Sequence, residues 1–256
     1  MSKDTGLKRS VEKLALQDRD LEILRFCLEM KFADIESLNC KFFDPDSLEM
    51  FAARKRVQKL EASGFLKSVS LLSGTTRKFY LTTPKGYREV LKVTLEEATP
   101  AVVTKLSVVT FEHDLGVLKL RRLLEAQKRA TDWRSERLLK TNAQAATQSL
   151  KRDFMPDAIL TSKQGKVVAF EFENRPKTEA QLKEKLFRLK AVIESNDAPF
   201  EACLVVTSTD SLKKKIQALT SLIPNKFIVQ SVSEIEAASL KLRPQSNQSL
   251  NGEVRA

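Results

Sequence analysis

Two short apolar runs that carry acidic residues constrain this chain more than any other feature. Asp157 lies in the run 153–160, and Glu171 and Glu173 lie at the end of the run 167–173. A Lys-Gln-Gly-Lys segment separates the two runs. Two β-like runs joined by a short glycine-containing segment predict a β-hairpin. The chain must therefore contain a sheet in which this hairpin brings its carboxylates together.

The position of the turn sets the register of this hairpin. If the turn is centred on Gln164, Asp157 lies directly opposite Glu171, and Glu173 shares a face with Glu171 because strand side chains alternate. Directly opposed side chains have Cβ atoms roughly 4.5–5.5 Å apart. Carboxylates that close repel one another unless a cation lies between them, and Mg²⁺ prefers such oxygen ligands. The hairpin therefore predicts a Mg²⁺ site; the alternative is a surface hairpin with solvated acidic residues.

The charge balance favours a polyanionic partner. The chain of 256 residues has 44 basic and 33 acidic residues, a net charge of +11. A surplus of this kind is typical of proteins that bind nucleic acid. The first 100 residues contain 18 basic and 15 acidic residues, and the remainder contains 26 and 18. The excess therefore concentrates in the half with the hairpin, which suits an acidic metal site within a surface that contacts a phosphate backbone.

Composition also argues against several classes of protein. No apolar run approaches the roughly 18–20 residues of a membrane span, and the first residues lack the apolar stretch of a signal peptide. The three cysteines are widely spaced without a CxxC pair, and His113 is the only histidine. A zinc site or a two-histidine relaxase site would therefore be hard to build. We expect a cytoplasmic protein that does not associate with membranes.

Residues 16–98 have the pattern of a helical domain with a two-stranded wing. The predicted elements are a helix over Leu21–Leu28, a short helix near 34–38, a helix from Leu48 to Glu61, strands at 65–72 and 77–82 joined by residues 73–76, and a helix that opens at 83–86. This order is that of winged helix-turn-helix DNA-binding proteins, whose third helix enters the major groove.

The third helix and the wing carry the residues that this resemblance assigns to DNA. Between residues 48 and 60 there are four basic residues and one acidic residue. A solvated basic face, or a winged helix used for protein contacts, is the alternative. The predicted DNA contacts are Arg54, Lys55, Arg56 and Lys59 on the helix, and Lys67, Arg77 and Lys78 on the wing.

Residues 105–235 are predicted to form an α/β domain. Its predicted elements are a helix at 111–128, strands at 133–139, 154–161 and 167–173, a helix at 179–194, a strand at 202–207, a helix at 211–222 and a strand at 227–230. This order resembles the PD-(D/E)xK nuclease core, in which an Asp and an acidic residue from adjacent strands hold the metal. Asp157 and Glu171 match those two positions, whereas Glu173 occupies the position of the Lys. The family has both active variants with an acidic residue there and inactive members that only bind or scaffold.

Further residues are candidates at the same site. Lys183 and Lys185, on the helix after Glu173, could replace the missing lysine by reaching the scissile phosphate, or could belong to a solvated helix face. Glu136, on the predicted neighbouring strand, is either another metal ligand or a solvated residue. His113 is predicted to be a structural hydrogen-bonding residue at a helix start, with a catalytic role as the alternative. The assigned catalytic residues are Asp157, Glu171, Glu173 and Lys183, and the assigned metal ligands are Asp157, Glu171 and Glu136.

A series of short motifs across both halves resembles the plasmid replication-relaxation family over roughly residues 15–195. The motifs are Glu112-His113-Asp114-Leu115, Trp133-Arg134-Ser135-Glu136, Pro156-Asp157-Ala158-Ile159-Leu160, Phe170-Glu171-Phe172-Glu173-Asn174-Arg175 and Lys183-Glu184-Lys185-Leu186. The resemblance implies a role in the replication or DNA relaxation of mobile elements, with replication or mobilisation proteins as partners.

The combined prediction is a protein that binds double-stranded DNA through the winged helix and whose nuclease-like domain grips or cleaves the DNA nearby, with Mg²⁺ as the cofactor if it cleaves. The alternative is a non-enzymatic transcriptional regulator or replication accessory factor, with a degenerate nuclease fold used for homodimerisation or partner docking. We expect residues 1–15 to form a flexible N-terminus and residues 242–256 a disordered tail.

Overall fold

The chain divides into two compact units, Met1–Val108 and Val109–Ala256. Among the residues described, the fold is mixed α/β with nine helices and two sheets, which confirms the predicted fold class at that level. The predicted wing turn and almost all of the two predicted flexible ends lie outside the described residues. The computed structural model describes residues 14–45, 47, 49–70, 77–94, 98–142, 155–221 and 226–242.

The first unit contains helices and one small antiparallel sheet. Its strands have the order β1-β3-β2. The two-residue strand β1 was not predicted; it pairs Ala33 with Tyr80 of β3. The elements are α1 (Asp18–Glu29), β1 (Ala33–Asp34), α2 (Ile35–Phe42), α3 (Phe51–Ala62), β2 (Leu66–Val69), β3 (Phe79–Thr82) and α4 (Pro84–Val93).

Helix α3 begins later than predicted but buries the predicted stripe. Ala53, Val57 and Leu60 are buried, as their spacing indicates. The helix begins at Phe51 because Met50 before it has a positive φ of 50°, which is not helical. The predicted first residue, Leu48, lies outside the described part of the chain.

The second unit is built on a five-stranded sheet of order β4-β5-β6-β7-β8. Strands β4, β5 and β6 are antiparallel neighbours, and β7 and β8 continue the sheet in parallel with β6. The elements are α5 (Val108–Ala126), β4 (Ala130–Ser135), α6 (Glu136–Thr141), β5 (Ala158–Ser162), β6 (Val167–Glu173), α7 (Glu179–Ile193), β7 (Ala202–Thr207), α8 (Asp210–Thr220), β8 (Phe227–Ser231) and α9 (Val232–Leu242).

The prediction of a strand over 133–139 was wrong in its second half. Strand β4 ends at Ser135, whose hydroxyl accepts a hydrogen bond from the backbone N–H of Leu138 and so caps α6. Glu136 is therefore the first residue of a helix and not a strand residue. Helix α9 was also missed.

Both faces of the hairpin β5–β6 are buried, which explains its nearly continuous apolar sequence. On one face, Leu182, Leu186 and Leu189 of α7 belong to the same core cluster as Ala169. On the other face, Phe170 lies against Trp133, with ring centroids 4.9 Å apart. Burying each such side chain stabilises a fold by about 1.5–3 kcal/mol. The acidic residues are thus held by a strand that cannot shift without exposing the core.

Candidate functional site

The carboxylates lie where two paired strands meet at one end. Asp157 directly precedes β5, and Glu171 lies near the end of β6. The register pairs Ala158 with Phe170, so continuing it by one residue places Asp157 opposite Glu171, as the predicted turn position requires. The backbone N–H of Phe172 donates to Oδ2 of Asp157 at 2.7 Å. The predicted hairpin register is therefore confirmed.

Lys185 reaches both glutamates of β6 from helix α7. Its Nζ lies 2.6 Å from Oε2 of Glu171 and also contacts Oε1 of Glu173. The two glutamates are 2% and 4% exposed. Helix α7 begins with a capping box, in which Thr178 and Gln181 each satisfy a backbone N–H of the other. The helix therefore holds an ammonium group over a buried acidic cluster.

Lys183, predicted from the sequence to be catalytic, does not lie at this cluster. Its Nζ pairs with Glu179 at 2.7 Å, one helical turn earlier, and both side chains are more than half exposed. Two residues further along α7, Lys185 occupies the position that was expected of Lys183. The assignment of Lys183 is therefore corrected to Lys185.

The charged groups of the cluster shift one another's pKa. Burial raises the pKa of Glu171 to about 8, because it outweighs the opposing charge of Lys185. Burial would lower the pKa of Lys185, but the charges of Glu171, Glu173 and Asp157 together raise it above its ordinary value. Lys185 therefore remains protonated, while Glu171 takes up a proton near neutral pH. The cluster holds more carboxylates than its own lysine neutralises.

His113 is the partner of Asp157, a pairing that no sequence pattern indicates. From α5, its Nε2 lies 3.0 Å from Oδ1 of Asp157. Its ring stacks on Phe172, with centroids 5.7 Å apart. Burial would raise the pKa of Asp157, but the hydrogen bond and charge of His113, with the nearby Lys185, hold it below its ordinary value. Asp157 is thus ionised at neutral pH, and Nε2 of His113 must carry the hydrogen that it accepts.

The cluster opens into a pocket of about 360 Å³. Basic side chains make up part of its wall and come from α6, α7 and the segment between β6 and α7. The pocket therefore combines an acidic floor with cations that can attract a phosphate backbone. The lining residues are Glu136, Lys140, Met155, Asp157, Glu171, Lys177, Gln181, Glu184, Lys185 and Arg188.

Glu136 and Glu173 do not join Asp157 and Glu171 as metal ligands of one site. Glu136 lines the pocket but begins α6 and forms an ion pair with Lys140. Glu173 pairs with Lys177 at 2.7 Å and with Lys185. No group of three or more His, Cys, Asp or Glu side chains in the described part of the chain could hold a metal ion by itself. A protein site with three acidic ligands is thus not formed by the described residues.

In the first unit, Arg56 is not available for DNA in the way that the sequence analysis expected. It forms an ion pair with Asp20, with Nε 2.6 Å from Oδ1, and its side chain is only 17% exposed. Asp20 is fully buried and also accepts from the N–H of Gln17 at the start of α1. Arg56 therefore joins α3 to α1, which corrects its assignment as a DNA contact.

The other predicted DNA contacts fall into two groups. Arg77 pairs with Asp34 at 2.7 Å, and Lys67 donates to the carbonyl of Thr104 at 2.7 Å. Arg77 is nevertheless more than half exposed. The remaining residues are exposed too: Arg54, Lys55 and Lys59 on α3, and Lys78 just before β3. Lys55 and Lys59 form no ion pair with any residue that the structure describes.

Comparisons of the chain with protein-family models, curated proteins and solved structures find no match. None of the helices in the described ranges has the length and apolar character needed to cross a membrane.

Proposed function

We propose that this chain binds double-stranded DNA and that its second unit carries a Mg²⁺-dependent nuclease site. One observation carries the proposal: Asp157, Glu171 and Lys185 converge on an open pocket with basic walls. Phosphodiester hydrolysis needs activated water and a cation for the charge that develops on the phosphate. Two carboxylates beside a protonated lysine suit both needs, and the cation would bind Glu171 in its ionised form by displacing the proton that burial favours.

The order of elements in the second unit supports a PD-(D/E)xK type of fold. The order helix, three antiparallel strands, helix and parallel strand is that of the core, with the short helix α6 inserted between the first and second strands. The family pattern would have a lysine where Glu173 stands. Lys185 supplies the positive charge from α7 instead, since its Nζ contacts both Glu171 and Glu173.

Asp157 and Glu171 are the residues that would hold Mg²⁺. They fit a hard cation because both are carboxylates, both lie at one end of the hairpin and both line the pocket. Mg²⁺ is commonly held by one or two carboxylates together with water and substrate phosphates. A protein site with three ligands is therefore not required. When bound, the ion would supply a water of lowered pKa and polarise the phosphate.

Lys185 is proposed to stabilise the scissile phosphate. Its side chain is 24% exposed to the pocket, so its Nζ can contact a phosphate oxygen while it remains beside Glu171. Because its pKa is raised, the amine stays protonated and acts as a cation rather than as a general base. The neighbouring cations Lys140, Lys177 and Arg188 would orient the adjacent phosphates.

The first unit is proposed to bind duplex DNA as a winged helix. Its support is the exposed face of α3, where Arg54, Lys55 and Lys59 present three positive charges to solvent. Phe51 begins the same helix and is 71% exposed, which offers an apolar contact for a thymine methyl group. The resemblance to the plasmid replication-relaxation family indicates that such binding would serve the replication or relaxation of a mobile element, in which the chain would act as a homodimer with replication or mobilisation proteins.

The test is cleavage of supercoiled plasmid and linear duplex DNA in Mg²⁺, in Mn²⁺ and in EDTA. Asp157→Asn and Lys185→Ala should abolish metal-dependent nicking or cutting. Lys183→Ala is the matched control, because it removes the same charge from the same helix at an exposed position. It should cleave like the wild type. Equal loss in the Lys183 and Lys185 variants would contradict the proposed site.

A non-enzymatic role is the second candidate, and one observation favours it. Each carboxylate of the cluster already has a cationic or hydrogen-bonding partner from the chain: Lys185 for Glu171, Lys177 for Glu173 and His113 for Asp157. Such pairing is also what a degenerate nuclease fold in a regulator or replication accessory factor would retain. Tight, salt-sensitive DNA binding with no cleavage in either metal would favour this candidate.

A further inference from the structure

The single histidine of the chain holds one of the two acidic residues of the pocket. Nε2 of His113 lies 3.0 Å from Oδ1 of Asp157, while the backbone N–H of Phe172 binds Oδ2. Both oxygens of Asp157 are therefore fixed from the protein side, and their remaining lone pairs are free for a ligand in the pocket.

The fold is built to bring this histidine close. Gly116 lies one turn after His113 on α5, and a methyl group at its Cβ position would overlap the ring of Phe172. The missing side chain lets α5 approach β6 closely enough for the ring of Phe172 to stack on the imidazole. Phe172 is also the residue whose N–H holds the second oxygen of Asp157. One close helix–strand contact thus positions both donors.

We infer that His113 is a positioning residue, which fixes the carboxylate of Asp157 in the orientation that receives a divalent cation. This inference rests on the proposed metal site. Lys185 also attracts Asp157 electrostatically, so without His113 the carboxylate is free to turn towards the ammonium group. Asp157 would then pair with Lys185 and would no longer be oriented to bind the divalent cation. The role needs only an Nε2–H donor, which both the neutral and the protonated ring can provide.

The expected size of the effect follows from comparable metal sites. Residues that hydrogen-bond to a ligating side chain typically contribute about 10- to 100-fold to metal affinity. His113→Phe keeps an aromatic ring to stack on Phe172 but removes the donor. His113→Gln removes the ring but keeps an N–H that can reach Asp157. The two variants therefore separate the hydrogen bond from the packing.

The experiment measures Mn²⁺ binding to the full chain, without DNA, by calorimetry and by electron paramagnetic resonance. We expect His113→Phe to bind Mn²⁺ about 10- to 100-fold more weakly than the wild type, and His113→Gln to recover most of the affinity. Asp157→Asn gives the reference for a lost ligand. Melting temperatures of all variants show whether each one is folded.

The outcomes separate this inference from the proposed function. Equal Mn²⁺ affinity in the wild type and a folded His113→Phe overturns the positioning role alone. If both histidine variants lose Mn²⁺ affinity equally, the effect is due to packing and not to the hydrogen bond, which also overturns the positioning role. A wild type that binds no Mn²⁺ overturns the metal site and the inference together. If Mn²⁺ binding depends on His113 but the protein cleaves no DNA, the positioning role is supported. The absence of cleavage then overturns the nuclease proposal alone.

Discussion

Glu171 is a carboxylate that the fold buries almost completely. The residue is 2% exposed, and burial raises its pKa from 4.5 to about 8. The folded protein therefore binds a proton on Glu171 over a pH range in which the unfolded chain has released it. Whenever the folded state binds more protons than the unfolded state, its stability falls as pH rises. Glu171 should thus lower stability progressively between about pH 4.5 and pH 8.

Replacing Glu171 by Gln removes this pH dependence. At pH 5 both proteins have a neutral group at this position, so their free energies of unfolding should be similar. At pH 9 Glu171→Gln should be more stable than the wild type by up to roughly a few kcal/mol, since the buried charge is absent. Urea unfolding at both pH values, without divalent cations, measures the difference. A difference in free energy of unfolding that is the same at both pH values contradicts the prediction. The control is Glu201→Gln, because Glu201 is exposed.

Arg56 offers a second test at the level of one residue. Arg56→Ala leaves the fully buried Asp20 without its ion-pair partner and should lower the free energy of unfolding by roughly 3 kcal/mol. Its neighbour Lys55 is exposed, so Lys55→Ala should change stability by less than about 0.5 kcal/mol. Circular dichroism during urea unfolding compares the two. A stable Arg56→Ala variant with weakened DNA binding would restore the sequence-based assignment.

The sequence predicts the register of the site but not the identity of its lysine. The turn position alone places Asp157 opposite Glu171, because strand pairing counts residues equally from the turn. By contrast, Lys183 and Lys185 flank the buried stripe of α7 on opposite sides. Which flank reaches Glu171 depends on the direction in which the helix crosses the sheet. That direction follows from packing of the whole unit and has no local sequence signal.

Helix α3 uses its two sides for different purposes. Ala53, Val57 and Leu60 bury one side, and Arg56 at its edge is held by Asp20. The opposite side carries exposed charges. Because phosphate contacts release counterions, each exposed lysine that meets a phosphate should add about one unit to the slope of log affinity against log salt.

The double variant Lys55→Ala, Lys59→Ala tests this face. We expect weaker binding to duplex DNA of any sequence, and a salt slope that is smaller by about two. Fluorescence anisotropy at several salt concentrations gives both quantities. The pair Lys163→Ala, Lys166→Ala in the β5–β6 turn removes the same charge elsewhere and is the control. An unchanged slope in the α3 variant, or an equal change in the control, would exclude α3 as the contact surface.

Elements with a long apolar period were predictable, whereas those set by one hydrogen bond or one strand pair were not. Helix α7 has its predicted start because its stripe and its capping residues agree. The sequence around Ser135 does not show whether the strand continues or a helix begins. The hydrogen bond from the N–H of Leu138 to the Ser135 hydroxyl ends β4 there. Strand β1 exists only through pairing with β3, which is a contact between distant residues.

At the scale of the whole molecule, the two parts of the chain on either side of residue 100 carry unequal charge. The sequence after residue 100 has a surplus of eight basic residues, compared with three before it. The unit with the acidic cluster therefore lies in the more basic half of the chain. A basic surplus of this kind suits the proposed contact between the second unit and a phosphate backbone.

If both units contact one duplex, the full chain should bind DNA more tightly than the first unit alone. Linking two binding modules makes the second contact intramolecular, and additional phosphate contacts steepen the salt dependence. We therefore expect the full chain to show a larger salt slope than residues 1–108, measured by anisotropy between 50 and 200 mM salt. Asp157→Asn in the full chain should keep the larger slope, because it removes a carboxylate and no cation. Equal slopes for the fragment and the full chain would mean that the second unit does not meet DNA, and the pocket around Lys185 would then lose its proposed substrate.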